Sequence, residues 1–198
     1  MEKIAEKFAE KLISKNICTE EEKPLYVYGM TLFLTTALVM LSIIALSMLF
    51  FDIRYGLLYV IMFPSLRVCV GGYHCKTYLS CFVASNIIFV LDALFAELLW
   101  IHGAALSVLL VMAASPYIII YAPVLNPNNP LTVKRKEKNR KKAIRRTVIM
   151  TIVAVICSFA AMRIPALKYV SSTAASVEFT VALLMLIEKI KQKGEKHD

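Results

Sequence analysis

Between Arg67 and Cys81 the chain reads RVCVGGYHCKTYLSC, which gathers one histidine and three cysteines around the Gly71-Gly72 pair. Cleaving a peptide bond with sulfur requires a thiolate and a partner that takes and returns a proton. A cysteine and a histidine within hydrogen-bond reach supply both. Cys81 and His74 are the candidates. Seven residues apart on one continuous helix, they would share a face but stand about 10 Å apart along the axis, too far for a hydrogen bond. The pair works only if the chain leaves the helix between them. Gly71 and Gly72 can end one segment, and Thr77 or Ser80 can cap the next. Cys81 then falls in a first helical turn, where the partial positive charge of the terminus favours an anion.

Spacing alone fits a second reading, in which His74 is a structural hydrogen-bonding residue at a membrane boundary. A zinc site on His74, Cys75 and Cys81 lacks any CxxC or HxxxH spacing, and no metal or organic cofactor is expected. Cys69 and Cys75 read as small space-filling residues. The five cysteines (Cys18, Cys69, Cys75, Cys81 and Cys157) are odd in number and irregularly spaced, so free thiols on the reducing side are expected.

The elements that position these residues are membrane helices. Of 198 residues, 59% are hydrophobic, and several apolar runs approach the roughly 20 residues that cross a bilayer core. Too few residues remain for a separate water-soluble domain. The expectation is one all-α polytopic helix bundle over residues 1–198. It comprises an N-terminal amphipathic helix within 1–24, a bundle over 25–188 with a basic cytoplasmic loop at 126–146, and a tail from 189. Ile4, Phe8, Leu12 and Ile13 at helical spacing define the amphipathic helix. Its charges, Glu2 to Lys11, interrupt any hydrophobic core of a cleavable signal.

Six spans are expected at about 26–51, 55–71, 79–101, 103–123, 147–163 and 169–188. The second is short and carries Pro64 and Arg67, which suits a tilted or re-entrant segment. Lys134 to Arg146 hold nine basic residues against the single acid Glu137. Short loops this basic stay in the cytoplasm, and an even number of spans puts both lysine-rich termini there as well. The basic stretch reads as an orientation signal and an attractor of anionic lipid headgroups, with no nucleic-acid partner expected. Asp92, Glu97 and Glu178 fall inside spans, which suits paired structural acids or a transporter's proton relay. Asp92 lies about 16 Å along the helix from Cys81, too far to complete a catalytic group. Ser85 and Asn86 are closer.

The stretch GGYHCKTYLSCF resembles the signature of the AgrB family. There a Gly-Gly-x-His segment is followed, seven residues after the histidine, by a cysteine at the start of a membrane helix. A second stretch, APVLNPNNPLTVKRKEKNRKKAIRRT, is similar to that family's Asn-Pro-x-x-Pro-Leu segment and the basic loop after it. Size, span count and the order of basic and apolar segments agree along nearly the whole chain. Cys75 departs from the pattern, where a small residue such as alanine is expected.

The resemblance implies a catalytic histidine at His74, a nucleophile at Cys81, and supporting residues at Arg67 and Gly72. It also implies a bacterial cell membrane, a homodimer and a propeptide substrate of the AgrD type. The expected activity is cleavage of the C-terminal part of that propeptide through an acyl-enzyme thioester, with cyclisation to a thiolactone or lactone. Because such propeptides carry an acidic C-terminal part, Lys134, Arg135, Lys136, Lys141 and Lys142 are expected to hold substrate. Arg67, ionisable within a short apolar span, reads either as a substrate or oxyanion contact or as a brace for loop carbonyls. The competing classes are a small polytopic transporter or exporter of peptides, which would not need Cys81, and a membrane scaffold that binds a peptide without cutting it.

Overall fold

The structure is a computed structural model, and it describes residues 2–15, 17–71, 77–124 and 133–194. A short amphipathic helix, α1 (Glu2–Ser14), precedes six long ones. These are α2 (Lys23–Phe50), α3 (Ile53–Val70), α4 (Tyr78–His102), α5 (Ala104–Tyr121), α6 (Val133–Ala160) and α7 (Leu167–Gly194). All six are long and apolar enough to cross a membrane. The chain is thus a multi-pass membrane bundle, as its apolar runs predict. The second span is one continuous 18-residue helix with Pro64 inside it, about 27 Å long.

The expected basic loop is corrected in part. From Val133 onward the segment is helical and continuous with the fifth span. Lysine, arginine and glutamate are good helix formers, and no glycine or proline separates Val133 from Ala160. The charged half of α6 is therefore a basic extension of the membrane helix, exposed from Val133 to Lys138 and packed on the bundle from Arg140 onward.

α7 occupies the centre and packs against α3, α4, α5 and α6. Its run from Ser171 to Glu178 is wholly buried. Small and hydroxylated residues there let backbones approach closely, which is how helices associate where lipid removes the usual hydrophobic drive. Large apolar side chains such as Leu41, Leu49, Leu91 and Ile156 instead face outward, where lipid solvates them.

Two intramembrane acids are bonded across helices. Asp92 on α4 accepts from Thr180 Oγ1 at 2.6 Å and Ser176 Oγ at 2.9 Å. Glu178 on α7 accepts from Thr151 Oγ1 at 3.0 Å. Asn86 is also committed to a helix contact, since its Oδ1 accepts from Ser42 Oγ of α2 at 2.9 Å. Glu188, which the sequence did not mark, is buried and accepts from Gln192 Nε2 at 2.9 Å.

The two ends of the bundle differ. At one end lie the start of α2, the end of α3, the starts of α4 and α6, and the ends of α5 and α7. Lys189 rests 3.3 Å from the Tyr121 ring centroid there. At the other end Arg54 pairs with Asp52 and donates to Tyr169 Oη at 3.0 Å. Lys168 lies 5.0 Å from the Trp100 ring centroid. Aromatic residues at both levels match the headgroup zones of a bilayer.

Candidate active site

Cys81 is exposed and sits in the first turn of α4. Thr77 is the N-cap, and it forms a capping box with Ser80: Ser80 N–H donates to Thr77 Oγ1 at 3.2 Å and Thr77 N–H donates to Ser80 Oγ at 3.3 Å. The box satisfies backbone donors that would otherwise lack partners. It also fixes where the helix begins and hence the direction of Cys81, whose own N–H donates to the Thr77 carbonyl at 3.0 Å. Among the described residues, Cys18, Cys69, Cys81 and Cys157 are free thiols.

α3 ends on Gly71, whose φ of +75° favours glycine. A parallel bridge joins Gly71 to Val124, just beyond α5, and Val124 N–H donates to the Val70 carbonyl at 2.9 Å. The segments entering 72–76 and 125–132 therefore leave from one point. His74 and Gly72, the other two motif residues, lie outside the described residues, as does Cys75.

Arg67, in the last turn of α3, donates from Nη1 to the Gly71 carbonyl. Arg67 and Cys81 line one groove of about 510 Å³ between α2, α3 and α4. Tyr28, Thr77, Tyr78 and Val68 line it toward the end of the bundle where α2 and α4 start, and Ile43 and Tyr59 line it further along α2 and α3. Ser85, one turn beyond Cys81, lines it too.

Of the basic candidates on α6, Lys134, Arg135, Lys136 and Lys141 are exposed and Lys142 is half-buried. Two arginines that sequence reasoning passed over make the structural contacts. Arg146 donates to the Ser65 carbonyl and lies 3.5 Å from Cys69 Sγ on α3. Arg140 donates to the carbonyls of Ala122 at 3.2 Å and Ile120 at 3.5 Å. A sequence signal for them exists: Ala143, Thr147, Met150 and Ala154 form a buried stripe at helical spacing, and Arg140 and Arg146 flank it.

No group of three or more metal-ligating side chains occurs among the described residues. No curated protein and no solved structure matches the chain. The family model described as accessory gene regulator B, AgrB, matches residues 2–188. That match takes in α1, all six spans, the Cys81 turn and the basic extension of α6, so the chain belongs to the AgrB family.

Proposed function

We propose that this chain is a membrane cysteine endopeptidase that cuts an AgrD-type propeptide and promotes its cyclisation. The AgrB family is associated with maturation of the agr quorum-sensing autoinducer and acts with the AgrD propeptide. The observation that carries the finer reading is Cys81 itself. It is an exposed thiol on a capped first turn, in the wall of a groove that Arg67 and Val68 of the last turn of α3 also line.

In this reading Cys81 Sγ attacks the scissile carbonyl while His74 takes the thiol proton. The C–N bond then breaks, and His74 returns the proton to the leaving amine. The acyl group remains on Cys81 as a thioester. The propeptide's internal cysteine or serine attacks that thioester, forms the macrocyclic thiolactone or lactone, and frees Cys81 as a thiol. Exchange of one thioester for another is nearly balanced and needs no nucleotide. The first step trades an amide for a less stable acyl group, so removal of the released C-terminal fragment pulls the sequence forward.

The exposed residues Lys134, Arg135, Lys136 and Lys141, with Lys142, attract the acidic part of the propeptide. Both termini lie in the cytoplasm of a bacterial cell, and the protein acts as a homodimer. Co-expression with the propeptide tests this, with cleavage read by mass for wild type, Cys81→Ser and His74→Ala at equal membrane levels. The expected result is cutting by wild type and intact propeptide with both variants. Cutting by Cys81→Ser at the wild-type rate overturns the reading and turns attention to Cys75 or to transport.

A further inference from the structure

Arg140 is exposed and stands among the lysines of α6, where it would read as one more cation for an acidic substrate. Its Nη1 is directed elsewhere, to the carbonyls of Ala122 at 3.2 Å and Ile120 at 3.5 Å. Both belong to the end of α5, where a helix leaves its last carbonyls without donors of its own. In a helix that continued, Ile120 would receive the Val124 N–H. Here that N–H goes to the Val70 carbonyl on α3 at 2.9 Å. Arg140 thus supplies to α5 the donor that Val124 gives to α3, and its charge suits the negative end of the helix.

The exchange ties three helices into one joint. Arg140 on α6 holds the end of α5, and Val124 carries the connection across to Val70 and Gly71. The Gly71 carbonyl in turn accepts from Arg67 in the last turn of α3. Val70, Ala122 and Val124 are buried, so bulk water does not replace a donor lost there. Arg67 and Val68 also line the groove that Cys81 lines. The turn of α3 that shares a groove with Cys81 is therefore held from behind by a residue of α6.

We infer that Arg140 is a positioning residue for the Cys81 chemistry, acting through the end of α5 to hold the last turn of α3 in place. This assignment rests on the peptidase reading above. Without Arg140, Ile120 and Ala122 present unbonded carbonyls, and the Val124 N–H is drawn back toward Ile120. Gly71, with the carbonyl to which Arg67 donates, then shifts relative to Cys81. The loss falls on the rate of bond cleavage, because Arg140 is committed to α5 and does not hold the propeptide. The exposed lysines beside it have the opposite signature, since their loss weakens binding and leaves the chemical step alone.

The test measures kcat and KM for full-length protein in membranes with its AgrD-type propeptide. Arg140→Ala is expected to lower kcat about tenfold, the scale of a small misplacement at a reacting centre, with KM unchanged. Arg140→Lys, which keeps a cationic donor, should recover most of that loss. Two controls separate position from stability and from charge. Asp92→Ala, which loosens α4 from α7 away from this joint, should lower the unfolding temperature yet keep kcat below it. Arg145→Ala removes an exposed charge from the same helix and should change neither constant. If Arg140→Ala does not fold, Arg140→Gln keeps a donor without the charge, and a fall in kcat at constant KM is expected of it too. A rise in KM at full kcat overturns the assignment and makes Arg140 a substrate contact. Full kcat with a lowered unfolding temperature, or an equal fall in kcat with Asp92→Ala, overturns it as well and leaves a structural brace. If Cys81→Ser is inert while the Arg140 variants keep kcat, only this inference falls; if Cys81→Ser cuts, the peptidase reading itself falls.

Discussion

Gly71 and Val124 touch backbone to backbone, and a β-carbon placed on Gly71 would lie 2.2 Å from the Val124 carbonyl oxygen. That contact joins the end of α3 to the segment after α5. It fixes where the end of α3 stands relative to the end of α5.

Gly71→Ala is expected to be damaging for two reasons, the clash with a rigid carbonyl and a φ of +75°. Together they should cost about 2–3 kcal/mol and remove propeptide cleavage. Gly103 is the control. It also has a positive φ, +94°, but an added β-carbon meets nothing within 4 Å. Gly103→Ala should cost about 1 kcal/mol, the low end for backbone strain alone, and leave cleavage intact. Thermal unfolding in detergent and cleavage by mass distinguish the two, and equal loss of activity would argue against the role of the bridge.

Arg146 and the exposed lysines of α6 should behave differently. Arg146→Ala removes a donor to the Ser65 carbonyl next to Cys69 and should lower stability by about 1–3 kcal/mol. Lys134→Gln with Lys136→Gln, both at exposed positions, should leave the unfolding temperature within error. The double variant should weaken association with an acidic propeptide and flatten its dependence on salt. A stability loss in the lysine variant equal to that of Arg146→Ala would contradict this division.

Asp92 separates a structural acid from a proton carrier. It bonds Ser176 and Thr180 and joins α4 to α7. Asp92→Asn keeps an acceptor at the same place and should retain both folding and cleavage. Asp92→Ala should cost about 1–3 kcal/mol by removing the acceptor through which Thr180 and Ser176 of α7 hold α4. Loss of function in the asparagine variant at full stability would instead favour a proton relay.

Asp52 gives the pH dependence a sign. Hydrogen bonds from Arg54 and its positive charge hold the Asp52 carboxyl down to about 2 from the usual carboxylate value. A depressed pKa stabilises the folded state above the unfolded value of about 3.9. That contribution fades as pH falls from there toward 2. Asp52→Asn should remove this acid sensitivity and cost under about 1 kcal/mol at neutral pH, because the pair is partly exposed. The single tryptophan, Trp100, lies at this end of the bundle, so its fluorescence across an acid titration reads the change directly.

Much of this protein is written in one dimension. Length of apolar runs gives the six spans, since a helix must satisfy its own backbone in lipid. The Lys134–Arg146 cluster orders the ends, and Thr77 with Ser80 announces the start of α4 three residues before Cys81. These are local signals, readable within a turn or two. The basic stretch misled in one respect, because charge density marks a side of the membrane and says nothing about whether a segment is loop or helix.

Contacts between distant residues had no such signal. The bridge from Gly71 to Val124 spans two helices, and the reach of Arg146 to Ser65 crosses 81 positions. The groove beside Cys81 exists only where α2, α3 and α4 fail to close on one another. The sequence by itself determined which residues could react and how many times the chain crosses the bilayer, because periodicity and composition act through nearest neighbours. The tertiary structure decided what surrounds Cys81, because a cavity is a property of how helices pack and no single helix encodes it.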